Sequence, residues 1–98
     1  MDRPQVKLKT EFFEEDGQVI GIATEINVGS SGVDLADAQR SLREAIELWI
    51  EDCSERGVLE DILEEDGFVR SFGGVWAHRE AVLRDSAVFS VSGEMAAV

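Results

Sequence analysis

The feature that most constrains this chain is one long amphipathic segment in its middle. Apolar residues recur there at intervals of three and four, which places their side chains on one face of an α-helix. These residues are Leu35, Ala38, Leu42, Ala45, Ile46, Trp49, Ile50 and Cys53. Asp34 is a suitable N-cap and Gly57 a suitable C-terminal stop, so the pattern predicts a helix of about 22 residues. Its apolar face must be covered, and we expect a sheet formed by the other segments to cover it.

Two segments before this helix alternate apolar and polar residues, as half-buried β-strands do. They span residues 6–13 and 19–26, and the Asp16-Gly17 pair between them is a strong hairpin signal. Residues 27–31 predict a short third strand that leads into the helix. Residues 58–65 predict a second, short helix after it.

The register of the hairpin depends on the length of its turn. A two-residue turn would place Glu11 opposite Ile22, which mixes charge into the isoleucine face. A three-residue turn that includes Glu15 places Phe12 opposite Ile20 and keeps that face apolar. Because the buried face of a strand fixes its register, we predict the three-residue turn, with both isoleucines towards the core.

The last third of the chain is less regular. Its first part predicts an extended segment packed on the core, with the apolar residues Phe68, Val69, Phe72, Val75 and Trp76. Residues 87–92 predict a last strand. Together the elements predict one α+β domain over residues 1–98, with a three- to four-stranded, mainly antiparallel sheet and one long helix packed across one face.

Charge limits the class of partner. Twenty-one acidic and nine basic residues give a net charge of -12. Nucleic-acid binding rests mainly on Lys and Arg that neutralise phosphates, so we expect no direct contact with DNA or RNA. We also expect no contact with a membrane, whereas a basic protein would be attracted.

Three features of the sequence bear on localisation. A secretory signal is not recognised, and no run reaches the roughly 18–20 apolar residues of a membrane span. The single cysteine excludes an internal disulfide, so we expect a cytoplasmic protein.

Candidate catalytic residues are few. The strand acids Glu11, Glu14 and Glu25 would have to converge to hold the ions of a metal-dependent nuclease, and their pattern favours solvated acids instead. His78 is the single histidine, with no nucleophile motif beside it, and Cys53 lies on the apolar face of the helix. We therefore expect no enzyme activity, no catalytic residue, no metal site and no cofactor.

One stretch combines a short strand, a Ser-x-Gly motif, a capping residue and the long helix. Ser30 and Gly32 form the motif, and Asp34 is the cap. The helix then continues with Leu35, Ala38, Leu42, Glu44, Ala45, Ile46, Glu47 and Leu48. With the preceding hairpin, this order resembles the HicB-like antitoxin family over about residues 5–68. The chain differs from that family in lacking its Cys-Pro before the third strand and its usual Thr at the cap.

The resemblance implies a degraded RNase H-like fold and the neutralisation of a small basic RNA-cleaving toxin, HicA, by covering its surface. Many members also carry a C-terminal DNA-binding module, for which residues 69–98 show no basic cluster. We therefore predict a non-catalytic protein–protein interaction module, an antitoxin that docks a HicA-like toxin on an outer strand face with Glu11, Phe13, Glu14 and Glu25. The alternative is a structural or regulatory protein without a toxin, whose edge strand pairs with a second copy. In either case we expect a homo-oligomer.

Overall fold

The computed structural model describes residues 5–71 and 73–92, and its fold is α+β, as predicted. Within these residues the elements are β1 Gln5–Lys7, β2 Glu11–Glu15, β3 Gln18–Ala23, β4 Val28–Gly32, α1 Leu35–Glu55, α2 Leu59–Glu65, β5 Phe68–Arg70 and β6 Val75–His78. The strands form two three-stranded sheets. One has the order β2-β3-β4 and is antiparallel, and the other has the order β1-β6-β5, with β6 parallel to β1.

The two sheets are joined through their N-terminal strands. Residues 8–10 alone separate β1 from β2, and the main-chain N–H of Lys9 in this link donates to Oε1 of Glu25 in the β3–β4 turn, at 2.8 Å. Both sheets contribute to one core, in which α1 and α2 also take part. Its buried members are Ala23, Ile26, Cys53, Leu59, Leu63, Phe68 and Trp76.

Helix α1 begins and ends where the sequence predicts. Oδ1 of Asp34 accepts a hydrogen bond from the main-chain N–H of Asp37 at 2.8 Å, and Oδ2 of Asp37 accepts one from Val33 at 2.9 Å. The Val33 hydrogen bond, together with the Arg40 guanidinium, holds the pKa of Asp37 below its ordinary value. At the other end Gly57 has a φ of 70°, the left-handed conformation that commonly stops a helix.

The helix lies close to the β2-β3-β4 sheet because glycines stand at the points of contact. A Cβ atom built on Gly21 would lie 2.6 Å from the Phe12 ring and 3.2 Å from Leu42 of α1. A Cβ atom on Gly32 would collide with the main-chain nitrogen of Ala38 in α1. The glycine of the Ser-x-Gly motif therefore lies where α1 leaves no room for a side chain.

The predicted three-residue hairpin turn is wrong. Glu15 pairs with Gln18, so Asp16 and Gly17 alone form the turn. Both have positive φ, 51° and 80°. Turns with this conformation match the right-handed twist of the strands that they connect, which is why Asp-Gly favours them.

The shorter turn also reverses the predicted faces of β3, because a slip of one residue turns each side chain of a strand to the other face. Gly21 and Ala23 are buried on the α1 side of the sheet. Ile20 and Ile22 lie on the side away from α1 and are partly exposed. The reason is steric: where α1 lies close to β3, the strand has room for small residues, and the isoleucines take the opposite face.

In the C-terminal part of the chain, the structure agrees with the sequence-based prediction only in the first half. Phe68 and Trp76 are buried in the core as predicted, whereas Val69 is exposed. Phe72 lies outside the described residues. The predicted last strand over residues 87–92 is wrong: residues 79–92 form no helix or strand, and all of them are exposed. We call residues 79–92 the C-terminal segment.

Gly32→Ala should lower the free energy of unfolding by about 1–3 kcal/mol, because the added methyl group meets main-chain atoms of α1. Gly29→Ala is the matched control on the same strand, since its Cβ atom would meet only the carbonyl oxygen of Gly21, at 3.4 Å. Urea unfolding of the two variants measures the difference. Equal losses in both would contradict the close approach of α1 to β4.

Candidate protein-binding surface

The β2-β3-β4 sheet has one face away from α1, which we call the open face. Its side chains come from Glu11, Phe13, Glu15, Gln18, Ile20, Ile22, Gly29 and Ser31. Phe13 lies directly opposite Ile20, so these two side chains form an apolar pair, and Ser31 of β4 lies on the other side of Ile20. Phe13 is 53 % exposed, although it is a large aromatic residue. An exposed aromatic beside aliphatic groups is typical of an interaction surface.

The open face contains two of the four residues predicted to bind a partner. Glu11 and Phe13 share it. Glu14 pairs with Val19 and lies on the α1 side of the sheet. Glu25 lies in the β3–β4 turn, where its carboxylate accepts the hydrogen bond from Lys9. The four predicted residues therefore do not form one patch.

Among the large apolar and the charged residues of this face, sequence reasoning missed Ile20, Ile22 and Glu15. The isoleucines were assigned to the core because they are large and apolar, and Glu15 was assigned to the turn. The signal that could have placed them is the strong preference of Asp-Gly for two-residue turns, which fixes the observed register.

The acids of the open face form no ion pair within the described part of the chain. The ion pairs among residues 5–71 and 73–92 join Lys7 and Lys9 to Glu80, Arg40 to Asp37, and Arg56 to Asp52. Glu11 and Glu15 take part in none of these described pairs. In a chain of net charge -12 they leave a negative potential on both sides of the Phe13 ring.

A shallow groove of about 540 Å³ lies on the other side of the sheet, between β2 and α1. Its lining includes Phe12, Gln39, Arg40, Leu42, Arg43 and Ile46. The groove combines an apolar floor with arginines at its rim, one of which is held by Asp37 at 2.7 Å. It is open to solvent and does not enclose a ligand-sized cavity.

His78 and Cys53 both lie in packing environments. The His78 ring meets the Phe68 ring edge-on, with 5.4 Å between centroids, and its Nε2 lies 3.0 Å from the carbonyl oxygen of Asp66. Cys53 is 1 % exposed in the core.

Residues 5–71 and 73–92 hold no group of three His, Cys, Asp or Glu side chains placed to bind a metal ion. The helices of that same part of the chain are too short or too polar to cross a membrane.

Comparisons of the chain with protein-family models, with curated proteins and with solved structures find no match. The exposed apolar groups of the open face lie on a sheet face rather than in a cavity, which is typical of a surface that contacts a macromolecule and not of a small-ligand site.

Glu80, near the start of the C-terminal segment, pairs with Lys7 of β1 and with Lys9 of the link after it, at 3.5 and 3.6 Å. The charges of Lys9 and Lys7 hold the pKa of Glu80 below its ordinary value of 4.5. A carboxyl group with a lowered folded-state pKa stabilises the fold above its unfolded pKa, and this contribution is lost as the pH falls through the folded value.

Glu80→Gln should therefore lower the unfolding midpoint slightly at pH 7, and the difference from the natural chain should disappear at acid pH. The effect is small because the pair is exposed. Glu64→Gln is the control, since Glu64 lies in none of the described ion pairs. A pH-independent difference for Glu80→Gln, or the same change in both variants, would contradict the ion pair.

Proposed function

We propose that this protein is a non-catalytic protein–protein interaction module of the HicB-like kind. In the specific form of the proposal it is an antitoxin that neutralises a small basic RNA-cleaving toxin by covering its surface. The observation that carries the proposal is Phe13, exposed on the open face between Glu11 and Glu15, which have no cation beside them in the described part of the chain.

The order of elements supports the family resemblance. A tight hairpin, β2–β3, precedes β4, which carries Ser30 and Gly32 at its end, and the capped helix α1 follows at once. Gly32 has a physical reason to be glycine, since α1 lies against its main chain. The close contact of α1 explains why the motif has glycine at this position. The motif is therefore a stronger indication of a shared architecture than the apolar spacing of α1 alone.

The proposed mechanism is occlusion. Glu11 and Glu15 attract a basic surface and speed its association, because complementary charge acts mainly on the rate of encounter. Phe13 then loses its exposed area against the partner and acts as the anchor, as aromatic residues at interface centres do. The toxin's cations, once paired with carboxylates, are no longer free to bind the phosphates of RNA, which the acidic antitoxin also repels.

The direct experiment captures partners of the tagged protein from its native lysate and identifies them after elution in low and high salt. We expect a small basic protein that is released by salt. That protein, once purified, should cleave RNA, and stoichiometric addition of the acidic chain should stop the cleavage. Cleavage that continues in the saturated complex would overturn the antitoxin form of the proposal.

The double variant Glu11→Lys/Glu15→Lys should slow association with the captured basic protein by about tenfold or more at low salt. Glu47→Lys/Glu51→Lys is the matched control, because it makes the same charge change at exposed positions of α1. Stopped-flow measurements at several salt concentrations compare the association rates of the two double variants. The difference between these rates should shrink as salt screens the charges. Equal slowing by both pairs would exclude the open face as the docking site.

A second candidate function is favoured by a separate observation. The C-terminal segment exposes large apolar side chains, and an edge of the β2-β3-β4 sheet carries no charge. Both features suit the association of two copies, with or without a toxin. In that case the capture experiment returns the protein alone, as an oligomer.

A further inference from the structure

The C-terminal segment carries five of the ten exposed large hydrophobic residues in the described part of the chain. Its large side chains are between 59 and 107 % exposed; they are Val82, Leu83, Val88, Phe89 and Val91. The segment is also uncharged overall, since two arginines balance one glutamate and one aspartate, whereas the whole chain carries -12. Exposed apolar stretches of this kind mark interaction surfaces.

The end of this segment has the pattern of a strand without a partner. Ala87, Phe89 and Val91 alternate with Val88, Ser90 and Ser92, so one side would be apolar and the other mainly polar. Residues 87–92 nevertheless pair with no strand in the described part of the chain. A single strand is stable only when it adds to the edge of a sheet.

Of the edges that the described strands offer, β4 is the one open to pairing. Strands at sheet edges usually carry charges or proline, which prevent pairing with other chains. β2 has three glutamates, β1 has Lys7 and β5 has Arg70. β4, with the sequence Val-Gly-Ser-Ser-Gly, has neither a charge nor a proline.

The open face beside β4 has room for a large side chain. β4 contributes only Gly29 and Ser31 there, opposite Ile22 and Ile20. A Cβ atom on Gly29 would meet nothing but the carbonyl oxygen of Gly21, at 3.4 Å. An aromatic side chain from an added strand can cover such an edge glycine and reach the neighbouring strand.

The unpaired state of the segment favours pairing between copies. Glu80, near its start, pairs with Lys7 and Lys9, and the main-chain N–H of Lys9 donates to Glu25 in the β3–β4 turn. Residues 79–92 nevertheless stay exposed, and among the described residues they pair with no strand, the β4 of their own chain included. Two copies related by a two-fold axis can exchange these unpaired segments.

We propose that two copies of this chain exchange their C-terminal segments, so that residues 87–92 of each copy pair with β4 of the other. Phe89 then lies over Gly29 and contacts Ile20 and Ile22. Main-chain hydrogen bonds along β4 supply the affinity, and the Phe89 contact fixes the register, as in other cases of strand addition. This dimer forms without any toxin.

The test is the molar mass of the full-length chain, measured by light scattering after size-exclusion chromatography over a dilution series. We expect a dimer for the natural chain and for Val88→Ser, the matched control on the other side of the same strand. Phe89→Ser removes the aromatic contact, and Ser31→Lys places a charge at the exposed edge strand. Each should raise the dissociation constant of the dimer by about tenfold or more.

A natural chain that is monomeric throughout the series would overturn the proposal. Dimers of Phe89→Ser and Ser31→Lys that are as tight as those of Val88→Ser would overturn it as well, because association would then use another surface. Far-UV circular dichroism confirms that each variant is folded. If Phe89→Ser fails to fold, the dissociation constant of Ser31→Lys alone tests the proposal. This variant should fold, because Ser31 is an exposed residue of β4.

Discussion

The close contact between α1 and the β2-β3-β4 sheet determines the arrangement of the other elements. At Gly32 the main chain of β4 meets the main chain of α1 directly, and at Gly21 the sheet is covered by Phe12 and Leu42. Where a helix approaches a strand this closely, the strand has space beneath the helix for small residues such as Gly21 and Ala23. Ile20 and Ile22 of β3 lie on the other face.

This constraint produces the surface that we interpret as functional. Ile20 and Ile22 lie beside Phe13 on the open face, and acids stand on β2 at either side of the aromatic ring. Isoleucines in that position do not stabilise the α1 contact. Their placement makes sense if a second polypeptide covers the face, with its basic groups near Glu11 and Glu15.

Charge distinguishes the two surfaces that we propose as binding sites. Lys7 and Lys9 are held by Glu80, while the acids of β2 have no cation beside them among the described residues. The C-terminal segment, in contrast, has no net charge and exposes large apolar side chains. Two copies that each carry -12 repel one another in general, so a contact between them is favoured where the net charge is zero, at the segment and at β4.

The sequence by itself determined the elements whose signals are local. Helix α1 starts at its Asp34 cap and stops before Gly57, a hairpin lies around Asp16-Gly17 although its turn is one residue shorter than predicted, and Phe68 and Trp76 enter the core. The face of β3 that is buried, and the grouping of Glu11 and Phe13 without Glu14 and Glu25, were decided by tertiary structure. Alternation along a strand gives two faces but does not say which one a helix covers, and here the proximity of α1 selected the face with the smaller residues. Residues 87–92 show the same limit of sequence reasoning. Their alternating pattern is that of a strand, but a strand forms only where the edge of a sheet is available, and the local sequence does not show whether one is.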